Sequence, residues 1–142
     1  ILVIFAHEVG HFVKHHIPKG IILNGLLSLA GFYLVHIAYE LVIDSQHLLP
    51  YSLAALPWLG LFFLLYGMLT EPLSHAISRR FEYQADHFAV SETGQPQEFI
   101  RSMEKLARLN LADETPHPLI EKWMYSHPSI THRIEKITGV SS

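Results

Sequence analysis

Hydrophobic and polar positions divide the chain into four regions. Ile1 to His16 is mostly apolar but carries polar residues at His7, Glu8, His11, Lys14, His15 and His16. Helical spacing sets His7, His11 and Lys14 or His15 on one face, with Glu8 beside them. Pro18 and Gly20 are expected to end this helix. Ile21 to Ile43 follows, 23 residues with one formal charge, Glu40. Leu48 to Thr70 is a second run of 23 residues and has no formal charge, with Pro57, Gly60 and Gly67 inside it. At about 1.5 Å per residue each run reaches about 35 Å, enough for a bilayer core of about 30 Å. Asp44 to His47 is the only strongly polar stretch between them, so the two runs predict a transmembrane helical hairpin. Two helices buried in a large soluble core are the competing reading, but such helices rarely run this long without charge.

Glu71 to Ser142 is polar and mixed. Pro72 is expected to break or re-aim the preceding helix. A helix is predicted from about Leu73 to Val90, then a loop at Thr93 to Pro96. Gln97 to Leu111 reads as an amphipathic helix with Phe99, Met103, Leu106 and Leu109 or Asn110 stepping by three or four. Ala112 to Pro118 reads as a loop, and a last short helix carries Ile130, Ile134 and Ile137 on one face and stops at Gly139. No repeat or strand pattern is evident, so the expected fold is all-α. The length, 142 residues, suits one domain, made of residues 1–20, 21–70 and 71–142 in turn. The chain starts at Ile1 in an apolar run already under way, with no basic region ahead of it. That is the expected pattern of a fragment whose N-terminal part is missing, and not of a signal peptide. Gly25, Ser28 and Gly31 are expected to face lipid or absent helices, leaving the isolated chain poorly stable.

Composition supports a membrane setting. The chain is 49% hydrophobic and only 16% charged, against roughly 25% charged in average soluble domains. The net charge of −3 and the lack of a basic run argue against nucleic acid as a partner. The absence of cysteine excludes thiolate metal ligands and a cysteine nucleophile. Lys14 and Lys19 precede the first span, Arg79 and Arg80 follow the second, and the loop between has Asp44 and no Lys or Arg. The positive-inside rule then makes both outer flanks, and the polar C-terminal region, cytoplasmic.

Eleven histidines invite a search for metal. His7-Glu8-Val9-Gly10-His11 has an H-E-x-x-H spacing on a predicted helix. Residues i and i+4 lie one turn apart on one face, so two imidazoles can hold one Zn²⁺ while the glutamate takes a proton from water. A catalytic zinc needs a third protein ligand. Glu40, Glu71, Glu82 and the other histidines are open candidates; Glu82 has the best context, on a helix at the same membrane side as the first motif. Asp86, one turn further on, can accept a hydrogen bond from a ligand histidine. In a solvated helix the same carboxylates would simply pair with Arg79 or Arg80.

His7 to His11, then Ser78 to Asp86, then Tyr125-Ser126-His127-Pro128 with Arg133 together resemble the membrane zinc metallopeptidases that include CAAX prenyl protease 1, and more distantly the HtpX-type proteases. The resemblance covers roughly residues 1–138, the C-terminal catalytic part of such proteins, and implies further transmembrane helices on the N-terminal side. It implies an integral membrane helical fold with a zincin-type first helix, a transmembrane hairpin and a helical C-terminal catalytic segment. It also implies one zinc held by His7, His11 and Glu82, Glu8 as catalytic base, Asp86 supporting a ligand, and His127 with Arg133 near the reacting carbonyl. The expected substrates are peptides of membrane-associated or lipidated C-a-a-X proteins. An inactive zinc-binding scaffold that binds peptides or partner membrane proteins is the alternative, and the intact Glu8 counts against it. His36 with Glu40, and Glu71 with His75, read as internally bonded pairs, since the hairpin keeps them too far apart for a second metal site. His15, His16, His47, His87, His117 and His132 are expected at surfaces or interfaces.

Overall fold

The structure is a computed structural model that describes residues 1–110 and 116–139, with the side chain of Asn110 outside the description. It contains α1 (Leu2–Val13), α2 (His16–Ser45), a 3-10 turn (Leu53–Ala55), α3 (Leu56–Thr93), α4 (Pro96–Asn110), α5 (Pro118–Met124) and α6 (Ile130–Thr138). The described residues hold helices and no strand, as the all-α expectation required.

Two helix boundaries differ from expectation for one reason: where a proline falls within a helix decides what it disrupts. α1 stops at Val13, before Pro18 and Gly20, and the chain turns at His15, whose φ of 55° is left-handed. Pro18 then falls in the first turn of α2, where its missing N–H would have had no helical acceptor anyway. Lys14 and His15 therefore leave the His7–His11 face. Pro72 does not break the second span either. α3 runs through it for 38 residues, from the 3-10 turn to the left-handed cap at Gly94. A proline inside a helix removes one backbone hydrogen bond, and helices at membrane depth tolerate that loss.

α2 and the first half of α3 form the hairpin. Its two helices have mean hydropathies of 1.9 and 1.8 over their most apolar windows, of which only 11% and 6% is buried. Core helices of a soluble protein would be covered; these expose Leu26, Leu29, Phe32, Leu64 and Leu69, the outer surface of a pair of membrane spans. Between them, Tyr66 lies against Gly31 and donates its hydroxyl to Leu27 O at 2.5 Å. Gly31 is thus a helix-contact residue, while Gly25 has no neighbour within 4 Å of where a Cβ would sit. His36 and Glu40 face outward, 3.9 Å apart and more than half exposed, so they are not a tight internal pair. His75 bonds the carbonyl of Trp123 at 2.9 Å instead of pairing with Glu71.

The polar region folds back on α1 and the second half of α3. Val3 and Ala6 of α1, Ala89 of α3, and Phe99 and Met103 of α4 make the core, with Ile130, Ile134 and Ile137 of α6 packed against it as the spacing predicts. Leu106 and Leu109 are exposed, and Ala107 is the third buried position of α4, so the face that packs runs along Phe99, Met103 and Ala107. Leu111 and residues 112–115 of the expected loop lie outside the described residues. α5 was not expected from the pattern, being only seven residues long.

A Cβ on Gly31 would stand 2.6 Å from Tyr66 Cε1. Gly31→Val should lower the unfolding temperature of the protein in detergent, with a penalty of about 1–3 kcal/mol for overpacking. Gly60→Val, where a Cβ meets nothing within 4 Å, should have a smaller effect. Equal losses at the two positions would show that the Gly31–Tyr66 contact does not hold the hairpin.

Candidate metal centre

α1 and α3 approach closely where Gly10 faces Ala85: a Cβ on Gly10 would lie 3.1 Å from Ala85 Cα. The glycine of the H-E-x-x-H spacing therefore has a packing reason, separate from its two histidines. The close crossing sets His7 and His11 opposite Glu82 and Asp86, one turn apart on the facing helix. His7 Nε2 and His11 Nε2 are 3.1 Å apart, and each is 3.5 Å from an oxygen of Glu82. Among the described residues these three make the one group of histidines and carboxylates close enough to share an ion.

Whether the group suits a metal follows from its protons. His7 Nδ1 lies 2.9 Å from Asp86 Oδ1. The ring is turned so that Nδ1–H does not point straight at that oxygen, but an ionised carboxylate only accepts, so the proton is favoured on Nδ1 and Nε2 then presents a lone pair. Glu82 presents two more acceptor oxygens. With a lone pair on each Nε2, the inward-facing atoms would all be electron-pair donors, the set that a cation draws together. Tetrahedral bonds of about 2.0–2.1 Å put ligand atoms about 3.3–3.4 Å apart, close to the observed 3.1 and 3.5 Å. The donor set fits a zinc ion. Burial, the leading cause, holds the His11 pKa below its ordinary value, which favours the neutral ring a metal requires.

Arg133 of α6 closes the group from behind. Its Nε donates to Asp86 Oδ2 at 2.7 Å and its Nη2 to Asp86 Oδ1 at 2.6 Å. Nη2 also stands 3.5 Å from Glu82 Oε2. All three residues are buried. Burial alone would lower the arginine pKa, but the bonds from Asp86 outweigh it and raise it, so the guanidinium stays charged. The carboxylates thus pair with Arg133 and not with Arg79 or Arg80.

His127 reaches the same group from the loop between α5 and α6, its Nδ1 3.3 Å from Glu82 Oε1 and its side chain 67% exposed. It does not cap the last helix; Ser129 does, accepting from His132 N at 3.3 Å. The loop is pinned at both ends. Arg79 donates to the carbonyls of Glu121, Lys122 and Tyr125 at the end of α5, as a cation at a helix C-terminus does. Glu121 accepts from Ser129 N at 2.8 Å and sits 3.0 Å from His132 Nδ1. Burial alone would raise the Glu121 pKa, but the Ser129 and His132 contacts outweigh it and lower it. His132 is therefore a half-exposed partner of Glu121. Glu8, His7, His11, Glu82, His127 and Arg133 all line one open cavity of about 880 Å³.

Two further residues escaped sequence reasoning. His16, expected at a surface or an interface, is 3% exposed. Its Nδ1 is 3.1 Å from His11 Nδ1, and its Nε2 is 2.9 Å from Gln84 Oε1. The spacing of five between His11 and His16 has no meaning on one helix; it works only because the chain turns at His15.

Residues 1–141 match Peptidase family M48. The chain belongs to this family. It is 34% identical over 140 residues to the uncharacterized metalloprotease YhfN of Bacillus subtilis, covering 95% of this chain and 33% of that protein. It is 29% identical over 142 residues to the human CAAX prenyl protease 1 homolog, covering 96% of this chain and 30% of that protein. The crystal structure of S. mikatae Ste24p superposes with a TM-score of 0.78 at 26% identity, over 96% of this chain and 36% of that one. The chain thus spans about a third of the length of these relatives.

Removing one member of the buried Asp86–Arg133 pair leaves an uncompensated charge. Arg133→Met alone, or Asp86→Leu alone, should destabilise the protein by about 3–5 kcal/mol. The double variant should be less damaging than the sum of the two. Chemical denaturation of the four proteins of this cycle measures the coupling; additive losses would mean the pair is not an interacting unit.

Proposed function

We propose that this chain is a zinc-dependent endopeptidase unit working at the membrane, with His7, His11 and Glu82 as metal ligands and Glu8 as general base. The observation that carries the reading is the convergence of two imidazole nitrogens and a carboxylate at 3.1–3.5 Å. When bound, zinc supplies Lewis-acid chemistry, acidifying water and polarising a carbonyl. Glu8 lies between the two histidines in sequence, is exposed, and opens on the same cavity. Its carboxylate takes a proton from the attacking water and returns it to the leaving amine. Asp86 keeps the proton of His7 on Nδ1. Arg133 holds Asp86 with two short bonds and stands 3.5 Å from Glu82, so it acts through them as a positioning residue. His127, at the cavity edge, donates to the oxygen that becomes negative as the carbonyl is attacked.

The substrates proposed are membrane-associated or lipidated proteins with C-a-a-X ends. Two spans beside the cavity and relatives that carry the name CAAX prenyl protease 1 support this. Residues 1–142 act as one peptidase unit, because α1, α3 and the loop before α6 each supply part of one cluster. The catalytic side is cytoplasmic: Lys14, Lys19, Arg79 and Arg80 flank the hairpin, and its loop has neither Lys nor Arg. A peptide-binding scaffold without turnover would have no use for an exposed carboxylate beside the two imidazoles.

Glu8→Gln keeps shape and loses the base. In the full-length protein in detergent it should retain one zinc by elemental analysis. Its cleavage of a fluorogenic peptide should fall by about 10²-fold or more. Cleavage within tenfold of wild type would overturn the role of Glu8, and a wild-type protein that binds zinc without cutting any peptide would favour the scaffold.

The cysteine-free chain suits labelling. Ser91→Cys should react with an impermeant maleimide only after cells are opened, and Ser45→Cys should react in intact cells. The reverse pattern would invert the proposed topology.

A further inference from the structure

His11 faces the cluster with one ring nitrogen and His16 with the other. Nothing in the catalytic reading above uses His16, yet it is among the most buried polar residues of the chain. Its ring stacks on Phe81 with centroids 4.4 Å apart and planes 9° from parallel. Both its nitrogens are engaged, Nδ1 by His11 Nδ1 at 3.1 Å and Nε2 by Gln84 Oε1 at 2.9 Å. The backbone accepts a left-handed residue at His15 to bring this ring in, a conformation uncommon outside glycine.

We propose that His16, held by Gln84 and Phe81, is a positioning residue that fixes the tautomer and ring orientation of His11. The proposal rests on the reading of His7, His11 and Glu82 as metal ligands. A neutral imidazole has one N–H and one lone pair. The amide oxygen of Gln84 accepts, so His16 Nε2 carries the proton. His16 Nδ1 then has the lone pair and accepts from His11 Nδ1–H. That leaves the lone pair of His11 on Nε2, the atom that faces His7 and Glu82. Turning the Gln84 amide round would reverse each bond and put the proton on His11 Nε2, closing that atom to a metal. Asp86 performs the same service for His7 with a carboxylate. The two ligand histidines are therefore oriented by different devices, one ionic and one a neutral chain of imidazole and amide.

The shape of the two rings makes the test possible. Asn can put its side-chain oxygen where His16 Nδ1 stands, restoring the acceptor for His11. Phe keeps the stacking and has no nitrogen. In the full-length protein in detergent, His16→Phe should weaken zinc binding 10- to 100-fold in competition with a chelator, the usual effect of losing a partner of a ligand histidine. It should also shift the visible spectrum of the cobalt-loaded protein. His16→Asn should recover most of the zinc affinity and the wild-type cobalt spectrum. Gln84→Met, which leaves the His16–Phe81 stack in place, should weaken zinc at least threefold, while Gln84→Glu, an acceptor only, should not. Wild-type zinc affinity in both His16→Phe and Gln84→Met overturns the relay, as does a loss in His16→Phe that Asn does not restore. Should His16→Phe fail to fold, the Gln84→Met and Gln84→Glu pair decides alone. A wild-type protein that binds no zinc overturns the metal reading itself, a result separate from any failure of the relay.

Discussion

Contact between α1 and α3 at Gly10 and Ala85 governs the centre, because it decides how near two histidines on one helix can come to two carboxylates on another. The space there has no room for a further methyl group without a shift of α3 or of Phe88. Interiors of this density tolerate little change in separation. A slightly wider crossing would part the imidazole nitrogens from Glu82 and leave buried polar groups without partners, which costs several kcal/mol in principle. The small residue between the two histidines and the alanine opposite are thus as much a part of the centre as the imidazoles and carboxylates themselves.

Charge imposes the second constraint. Glu82 and Asp86 are both nearly inaccessible to solvent, and two buried carboxylates a turn apart destabilise each other unless cations answer them. Arg133 answers from α6 with two short bonds to Asp86 and one longer approach to Glu82. Because α6 also packs its isoleucines on the core of α1, α3 and α4, the apolar packing and the ion pairing specify the same position for that helix. Arg79 and Glu121 do similar work on the preceding loop, by capping α5 and binding Ser129. The exposed His127 is consequently held by buried or half-buried neighbours on both sides of it.

Continuity of α3 joins these features to the hairpin. The residues that line the membrane-like surface and the residues that complete the cluster belong to one helix of 38 residues, uninterrupted at Pro72. A helix transmits position along its length without a flexible joint, so the hairpin and the cluster keep a fixed separation along α3. A break at Pro72 would have separated the two.

Local pattern in the sequence was enough for the helical class, the two long apolar spans, the isoleucine face of the last helix and the pair of histidines one turn apart. Each depends on periodicity or on spacing within a single element, and these survive folding unchanged. The third member of the cluster was one of several carboxylates by spacing, with Glu82 favoured by its helix and membrane side and Asp86 placed one turn on; the resemblance to a family, not periodicity, singled out His127 and Arg133. What those residues touch was decided by the tertiary structure: Arg133 bonds Asp86, His127 meets Glu82, and His16 with Gln84 stands behind His11. These contacts span 47, 45 and 68 positions in the case of Arg133–Asp86, His127–Glu82 and His16–Gln84. No local pattern encodes such distances; they follow from the angle at which α1 crosses α3, the turn at His15 and the unbroken course through Pro72, each set by packing between elements.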